Sequence, residues 1–167
     1  MTSLAFDFGE PVRLWSHIPI EDPRAAALAD RHYSRQTVGA KGFVPAGERF
    51  ALWHEDDGGC AVWAVCRNMD PVGTIQWRNT IFRNESAMLS SELIIDATRT
   101  TYELWMRRYH ALPSEPLTTE IDVAATRARR SRTSPPGICY LKAGWTFVRE
   151  LDPGHGRPLR VILQASR

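Results

Sequence analysis

Cysteine is scarce, net charge is small and long hydrophobic runs are absent. The three cysteines, Cys60, Cys66 and Cys139, are an odd number without metal-type spacing. That speaks against a disulfide framework or a zinc module and fits buried thiols in a reducing cytoplasm. No apolar stretch approaches the roughly 20 residues that cross a bilayer, so no membrane partner is expected. The opening Met-Thr-Ser-Leu-Ala-Phe-Asp-Phe-Gly-Glu has neither a basic region nor a long apolar stretch, and no signal peptide is expected there. A formal charge of +2 is too small to imply nucleic acid by itself. Internal repeats and low-complexity tracts are also missing. The 167 residues, with 43% hydrophobic and 24% charged content, read as one domain, 1–167, long enough for a real core.

The distribution of charge says more than its sum. Arg127, Arg129, Arg130 and Arg132 crowd into six residues without an acid, and Arg107 and Arg108 make a second cluster. Such a run is either a solvated loop or a phosphate-binding edge. Guanidinium groups match phosphate geometry, and a clustered patch releases counterions on binding.

Periodicity and punctuation set the element order. A strand is expected over 12–18, then a helix from Pro23 to about Tyr33 capped by Asp22. A Gly-rich loop covers 37–47. Strands follow over 49–55, 60–67 and 74–82, the first two joined by the hairpin signal Asp-Asp-Gly-Gly. Residues 90–109 form the strongest helix. Ser90 or Ser91 suits its cap, Glu92 its first turn, and Arg107 and Arg108 its end, all in accord with the helix dipole. A turn over 112–116 leads to a strand over 117–123. Ser134–Trp145 reads as a short helix capped by Thr133 or Ser134, with prolines in its first turn and Gly144 as its stop. Strands over 145–151 and 159–164 close the chain. The fold class is therefore α/β: a mixed sheet of about seven strands, with a long helix after the fourth strand and a short one after the fifth.

That order, with Tyr140-Leu141-Lys142-Ala143-Gly144-Trp145 on the short helix, resembles the GCN5-related N-acetyltransferase fold. The resemblance implies acetyl-CoA as donor and Tyr140 near its sulfur as a general acid. In that fold the loop before the long helix is rich in Arg and Gly. Here residues 83–91, Arg-Asn-Glu-Ser-Ala-Met-Leu-Ser-Ser, contain no glycine, which restricts close backbone approach to a pyrophosphate. The free N–H groups at the helix start still suit an anion. Arg83, Ser90, Ser91 and Lys142 are the expected cofactor-binding residues.

A narrower likeness spans about residues 30–150. His32-Tyr33-Ser34, Phe82-Arg83-Asn84-Glu85, Leu89-Ser90-Ser91-Glu92-Leu93-Ile94, Asp122, and Pro136-Gly137-Ile138-Cys139-Tyr140 together resemble the Mom-type DNA modification proteins of bacteriophages. The family's activity implies conversion of adenine in DNA to a carbamoylmethyl-adenine inside the bacterial host, which protects phage DNA from restriction. It also implies double-stranded DNA as partner and links the family to iron, with His32 and Asp122 as the expected ligands. Oligomeric state stays open, a homodimer among the options.

The residues themselves allow two readings each. His32 is a polar helix end, or a metal ligand or general base. Tyr33 can stack on a base or donate a proton. Alternation puts Glu120 and Asp122 on one strand face, as a surface pair or as carboxylates at the centre of the sheet. Asn84 and Glu85 are a structural hydrogen-bond cluster, or a base-edge reader and a general base. Ser90 and Ser91 are caps first and anion ligands second. Cys139, Trp77, Trp105 and Trp145 are expected in the core. The reading is an enzyme that binds DNA through Arg127–Arg132 and flips an adenine into a pocket lined by His32, Tyr33, Asn84, Asp122 and Tyr140, because a stacked amino group is hard to reach. An ordinary N-acetyltransferase acting on a small-molecule or protein amine, and a non-catalytic DNA-binding module, are the alternatives.

Overall fold

A computed structural model describes residues 13–35, 37–127 and 134–167. It is a mixed α/β structure built on a seven-stranded sheet of order β1-β2-β3-β4-β5-β7-β6. The elements are β1 (Ser16–Ile18), α1 (Pro23–Ala29), β2 (Glu48–Asp56), β3 (Gly59–Met69), β4 (Ile75–Asn84), α2 (Ser90–Tyr109), β5 (Leu117–Asp122), α3 (Val123–Arg127), α4 (Ile138–Lys142), β6 (Thr146–Leu151) and β7 (Arg160–Gln164). Of the expected sites, Arg129, Arg130 and Arg132 lie outside the described residues, as does Thr133.

The sheet is buried on both faces at its centre, which is why residues 61–66 of β3 form an unbroken buried run rather than an alternating one. One face packs Trp63 and Trp77 against Leu93, Ile94 and Trp105 of α2 and Tyr140 of α4. The other carries Val62, Ala64 and Cys66 against Ala25 and Leu28 of α1 and Phe43 of the following loop. Indole N–H groups pin α2 in place. Trp63 donates to Thr101 Oγ1 (3.1 Å) and Trp145 to Thr98 Oγ1 (3.2 Å).

Helix ends differ from the sequence expectation in instructive ways. Asp22 caps α1 as expected, accepting from Arg24 N and Ala25 N, but the helix stops at Ala29 rather than near Tyr33. His32, Tyr33 and Ser34 are thereby released into turns. The N-cap of α2 is Leu89, with no side-chain cap bond; Ser90 is already helical and its Oγ accepts from Asn84 Nδ2 instead (3.1 Å). After β5 there are two short helices, not one. Asp122 ends the strand and its Oδ1 accepts from Ala125 N (2.8 Å), which turns the chain into α3. The cap of α4 is Gly137 at φ 72°, so Pro135 and Pro136 precede the helix rather than open it. A Cβ there would lie 2.6 Å from Leu163 Cδ1 and 3.1 Å from Ile121 Cγ1. Glycine thus serves both the left-handed conformation and the close seat of α4 on the sheet.

All strand pairs are antiparallel except β4 with β5, which α2 connects as a crossover. That parallel pair holds only from Trp77↔Leu117 to Asn79↔Thr119. Beyond it both strands continue and diverge, opening a gap in the middle of the sheet.

Candidate active site

The gap begins at a β-bulge. Ala64 faces Ile81 and Val65 faces Asn79, so Thr80 is the extra residue. Asn79, 4% exposed, fills the irregularity: its Nδ2 donates to both Ala64 O and Ile81 O at 2.9 Å. Its Oδ1 accepts from the Tyr140 hydroxyl at 2.5 Å, and its backbone oxygen from Thr119 Oγ1 at 3.2 Å. Burial raises the Tyr140 pKa well above the usual phenol range. Its proton is therefore held tightly and directed at Asn79. Asn79 carried no signal beyond being a polar residue on the buried side of the alternation Trp77, Asn79, Ile81.

Residues 32–34 bridge the diverging strands. Ser34 Oγ donates to Thr80 O on β4 (3.4 Å). The Tyr33 hydroxyl donates to Glu120 O (3.5 Å) and accepts from Asp122 N (3.4 Å) on β5. It occupies edge positions that a neighbouring strand would otherwise pair. These are long hydrogen bonds, easily exchanged for a ligand's. Burial of the hydroxyl raises the Tyr33 pKa, the Asp122 N–H opposes that, and the Asp122 charge adds to it. His32 stacks on Tyr33 with ring centroids 4.3 Å apart. Its Nδ1 accepts from Ser34 N (3.2 Å) and lies 2.7 Å from Ser34 Oγ. A backbone N–H can only donate, so the neutral ring carries its proton on Nε2.

Two cavities meet at this bridge. The smaller, about 270 Å³, is lined by His32, Asn84, Ser90, Thr126, Cys139 and Tyr140. The larger, about 670 Å³, is lined by Arg78, Asp122 and Arg160 together with Phe43 and Pro45. Tyr33, Ser34, Asn79, Thr80 and Glu120 line both. Of the expected pocket, His32, Tyr33, Asn84 and Tyr140 come together, while Asp122 faces the other cavity. Each member of the expected metal pair has one donor engaged, His32 Nδ1 by Ser34 and Asp122 Oδ1 by Ala125. Among the described residues no group of three or more His, Cys, Asp or Glu is placed to hold a metal. His32 and Asp122 line different cavities.

The loop over 83–91 corrects two further expectations. Asn84 is not positioned to read a base edge. Its Nδ2 donates to Met88 O (2.8 Å) and Ser90 Oγ, and its Oδ1 accepts from Ser86 N (2.9 Å) and Ser86 Oγ (2.7 Å). Glu85 is a poor general base. The Arg31 fork binds it at 3.0 and 2.6 Å and Arg83 adds a bond at 2.8 Å, lowering its pKa to about 2. Arg83 also donates to Arg31 O (2.6 Å), so its expected cofactor role competes with two internal partners. The β2–β3 hairpin packs directly against this loop. Gly59 sits where a Cβ would be 2.2 Å from Glu85 O, and the Asp56 carboxylate accepts from Ala87 N (3.1 Å). Ser91 stands in the first turn of α2, which no side chain caps, next to Ser90 at the smaller cavity. Lys142 is exposed at the end of α4 and lines neither cavity. Arg127 ends α3, directly after Ala125 and Thr126 on the smaller cavity's rim.

No protein-family model, curated protein or solved structure matches the chain. Among the described residues no helix is long and apolar enough to cross a membrane.

Proposed function

We propose that this chain is a DNA-modifying transferase of the Mom type, with an acetyltransferase-like fold. It joins an acetyl-CoA-derived two-carbon unit to the amino nitrogen of an adenine, giving carbamoylmethyl-adenine in phage DNA inside a bacterial host; the N–CH2 bond takes a two-electron oxidant as co-reactant, and an ammonia-level nitrogen displaces the coenzyme A thiol to make the amide. The observation that carries this reading is the pair of cavities meeting at the Tyr33–Ser34 bridge, in the gap between β4 and β5. A transferase must bring two ligands to one point from different directions, and proximity of that kind supplies much of the rate.

The smaller cavity suits the thioester end of the donor. It runs from Tyr140 and Cys139 toward Ser90 at the uncapped start of α2, whose N–H groups favour an anion. Tyr33 touches both ligands, and its hydroxyl is placed to pass a proton between them. His32 holds the Tyr33 ring by stacking and is itself oriented by Ser34. Arg127, Arg129, Arg130 and Arg132 supply the positive charge for the phosphates of duplex DNA while the target base is turned out of the stack.

The test is mass spectrometry of nucleosides from the DNA of cells expressing the protein. A modified adenine supports the proposal. Unmodified DNA together with acetylation of an added amine substrate favours an ordinary N-acetyltransferase, and unmodified DNA with soluble, folded protein and no transfer overturns an enzymatic reading.

A further inference from the structure

We infer that Glu85 is an internal stand-in for a phosphate: its carboxylate occupies the guanidinium groups of Arg31 and Arg83 until the phosphates of coenzyme A displace it. This rests on the transferase reading above for the identity of the ligand. It adds the residues that grip the phosphates and the contact that gates their entry.

The loop over 83–91 has no glycine, so its backbone is less free to wrap a pyrophosphate. Side chains must then supply the donors. Two guanidinium groups stand beside the smaller cavity. Arg83 lines it together with Asn84 and Ser90, and Arg31 directly precedes His32, which lines it too. Arg83 Nη1 donates to Arg31 O (2.6 Å), tying the end of β4 to the turn after α1.

Both groups converge on one carboxylate. Arg31 donates through Nε and Nη2 to the two oxygens of Glu85, at 3.0 and 2.6 Å, and Arg83 through Nε to Oε1, at 2.8 Å. Two positive groups against one negative leave the cluster with an excess of positive charge. Asp56, the other carboxylate at this loop, is turned to the N–H groups of Gly58 and Ala87 and to His54. A phosphate fits the same guanidinium fork as a carboxylate and offers more acceptor oxygens.

The internal pair is easily exchanged. The Arg31 side chain is 53% exposed and that of Glu85 33%, and ion pairs so open to water contribute little net stability. The Glu85 carboxylate, once displaced, turns into solvent. Arg31 first and Arg83 after it lower the Glu85 pKa to about 2, so the carboxylate is charged, and competes with phosphate, at neutral pH. The first-turn N–H groups of α2, which no side chain caps, favour the incoming anion as well.

The experiment titrates the full chain by calorimetry with coenzyme A and with pantetheine, which has the same thiol arm and no phosphate. Glu85→Gln removes the competing charge and should tighten coenzyme A binding about two- to fivefold, the scale of one exposed ion pair. Glu85→Ala should act the same way, so that if one variant unfolds the other decides. Arg31→Gln should weaken coenzyme A binding about fivefold or more, since a charge-assisted bond to phosphate is lost. Pantetheine should bind the wild type and the Glu85 variants equally. Coenzyme A binding that is unchanged or weaker in a folded Glu85 variant overturns the inference. So does an equal gain for pantetheine, a gain for duplex DNA in place of coenzyme A, or no coenzyme A binding by any of the proteins. The transferase reading fails separately: it falls if DNA stays unmodified while the coenzyme A shifts appear as expected, and it stands if modified adenine forms while those shifts are absent.

Discussion

The Tyr140 hydroxyl donates to Asn79 Oδ1 across 61 positions of sequence, 2.5 Å apart and buried. That bond joins the short helix α4 to the bulge that opens the sheet between β4 and β5. It makes Tyr140 a positioning residue for the gap, and its tightly held proton counts against the acid role that the motif alone suggests.

Tyr140→Phe removes the donor and leaves a buried amide oxygen with one partner fewer. The expected cost is about 1–2 kcal/mol, read as a lower urea midpoint with unchanged slope. Base modification should persist in proportion to folded protein. Its complete loss from a folded variant would return Tyr140 to the chemistry.

Asn79→Leu should cost more, about 2–4 kcal/mol, because the carbonyls of Ala64 and Ile81 and the Tyr140 hydroxyl lose a partner together. Hydrogen exchange should quicken at residues 79–82. An exchange rise confined to the chain termini would show that the bulge does not depend on this side chain.

Acid stability should carry the signature of Glu85. Its pKa falls from 4.5 to about 2 when folded, chiefly through the Arg31 fork. A depressed carboxylate stabilises the fold above its unfolded pKa and loses that contribution as pH falls through the folded one. The window is therefore from about pH 4.5 down to 2. In Glu85→Gln the urea midpoint should vary less over that window than in the wild type. With the side chain a third exposed, the loss at pH 7 should be only about 1 kcal/mol. Modified adenine should still form, since such a weak base does not take the proton.

Gly137→Ala tests the seat of α4. The new Cβ meets Leu163 and Ile121 at a residue of positive φ. A loss of about 2–3 kcal/mol is expected, which for a chain of this size lowers the unfolding midpoint by roughly 5–10 °C. An unchanged midpoint would mean that α4 shifts freely on the sheet.

Much of this architecture was legible in the residues. The alternation in β5, the Asp-Asp-Gly-Gly turn, the Asp22 cap and the charges at both ends of α2 all act locally, and they lie where local physics puts them. The site was legible only where one segment carries it, as in His32-Tyr33-Ser34. For Asn84 and Glu85 the residues left a structural cluster and a chemical role both open, and for Glu85 the partner that decides is remote. Arg31 stands 54 positions from Glu85, and nothing in the spacing shows that its fork will take the carboxylate. Asp122 looked like a strand carboxylate near His32, yet capping α3 sets its direction. Asn79 was missed because only the bulge at Thr80 gives a buried amide something to satisfy.

The meeting of two ligands at Tyr33 is tested most directly by nucleoside mass spectrometry of DNA from cells expressing the wild-type chain or Tyr33→Phe. Carbamoylmethyl-adenine is predicted with the wild type, and its loss is predicted with a folded Tyr33→Phe. Equal modification by both proteins, or none by soluble wild-type protein, would contradict the account.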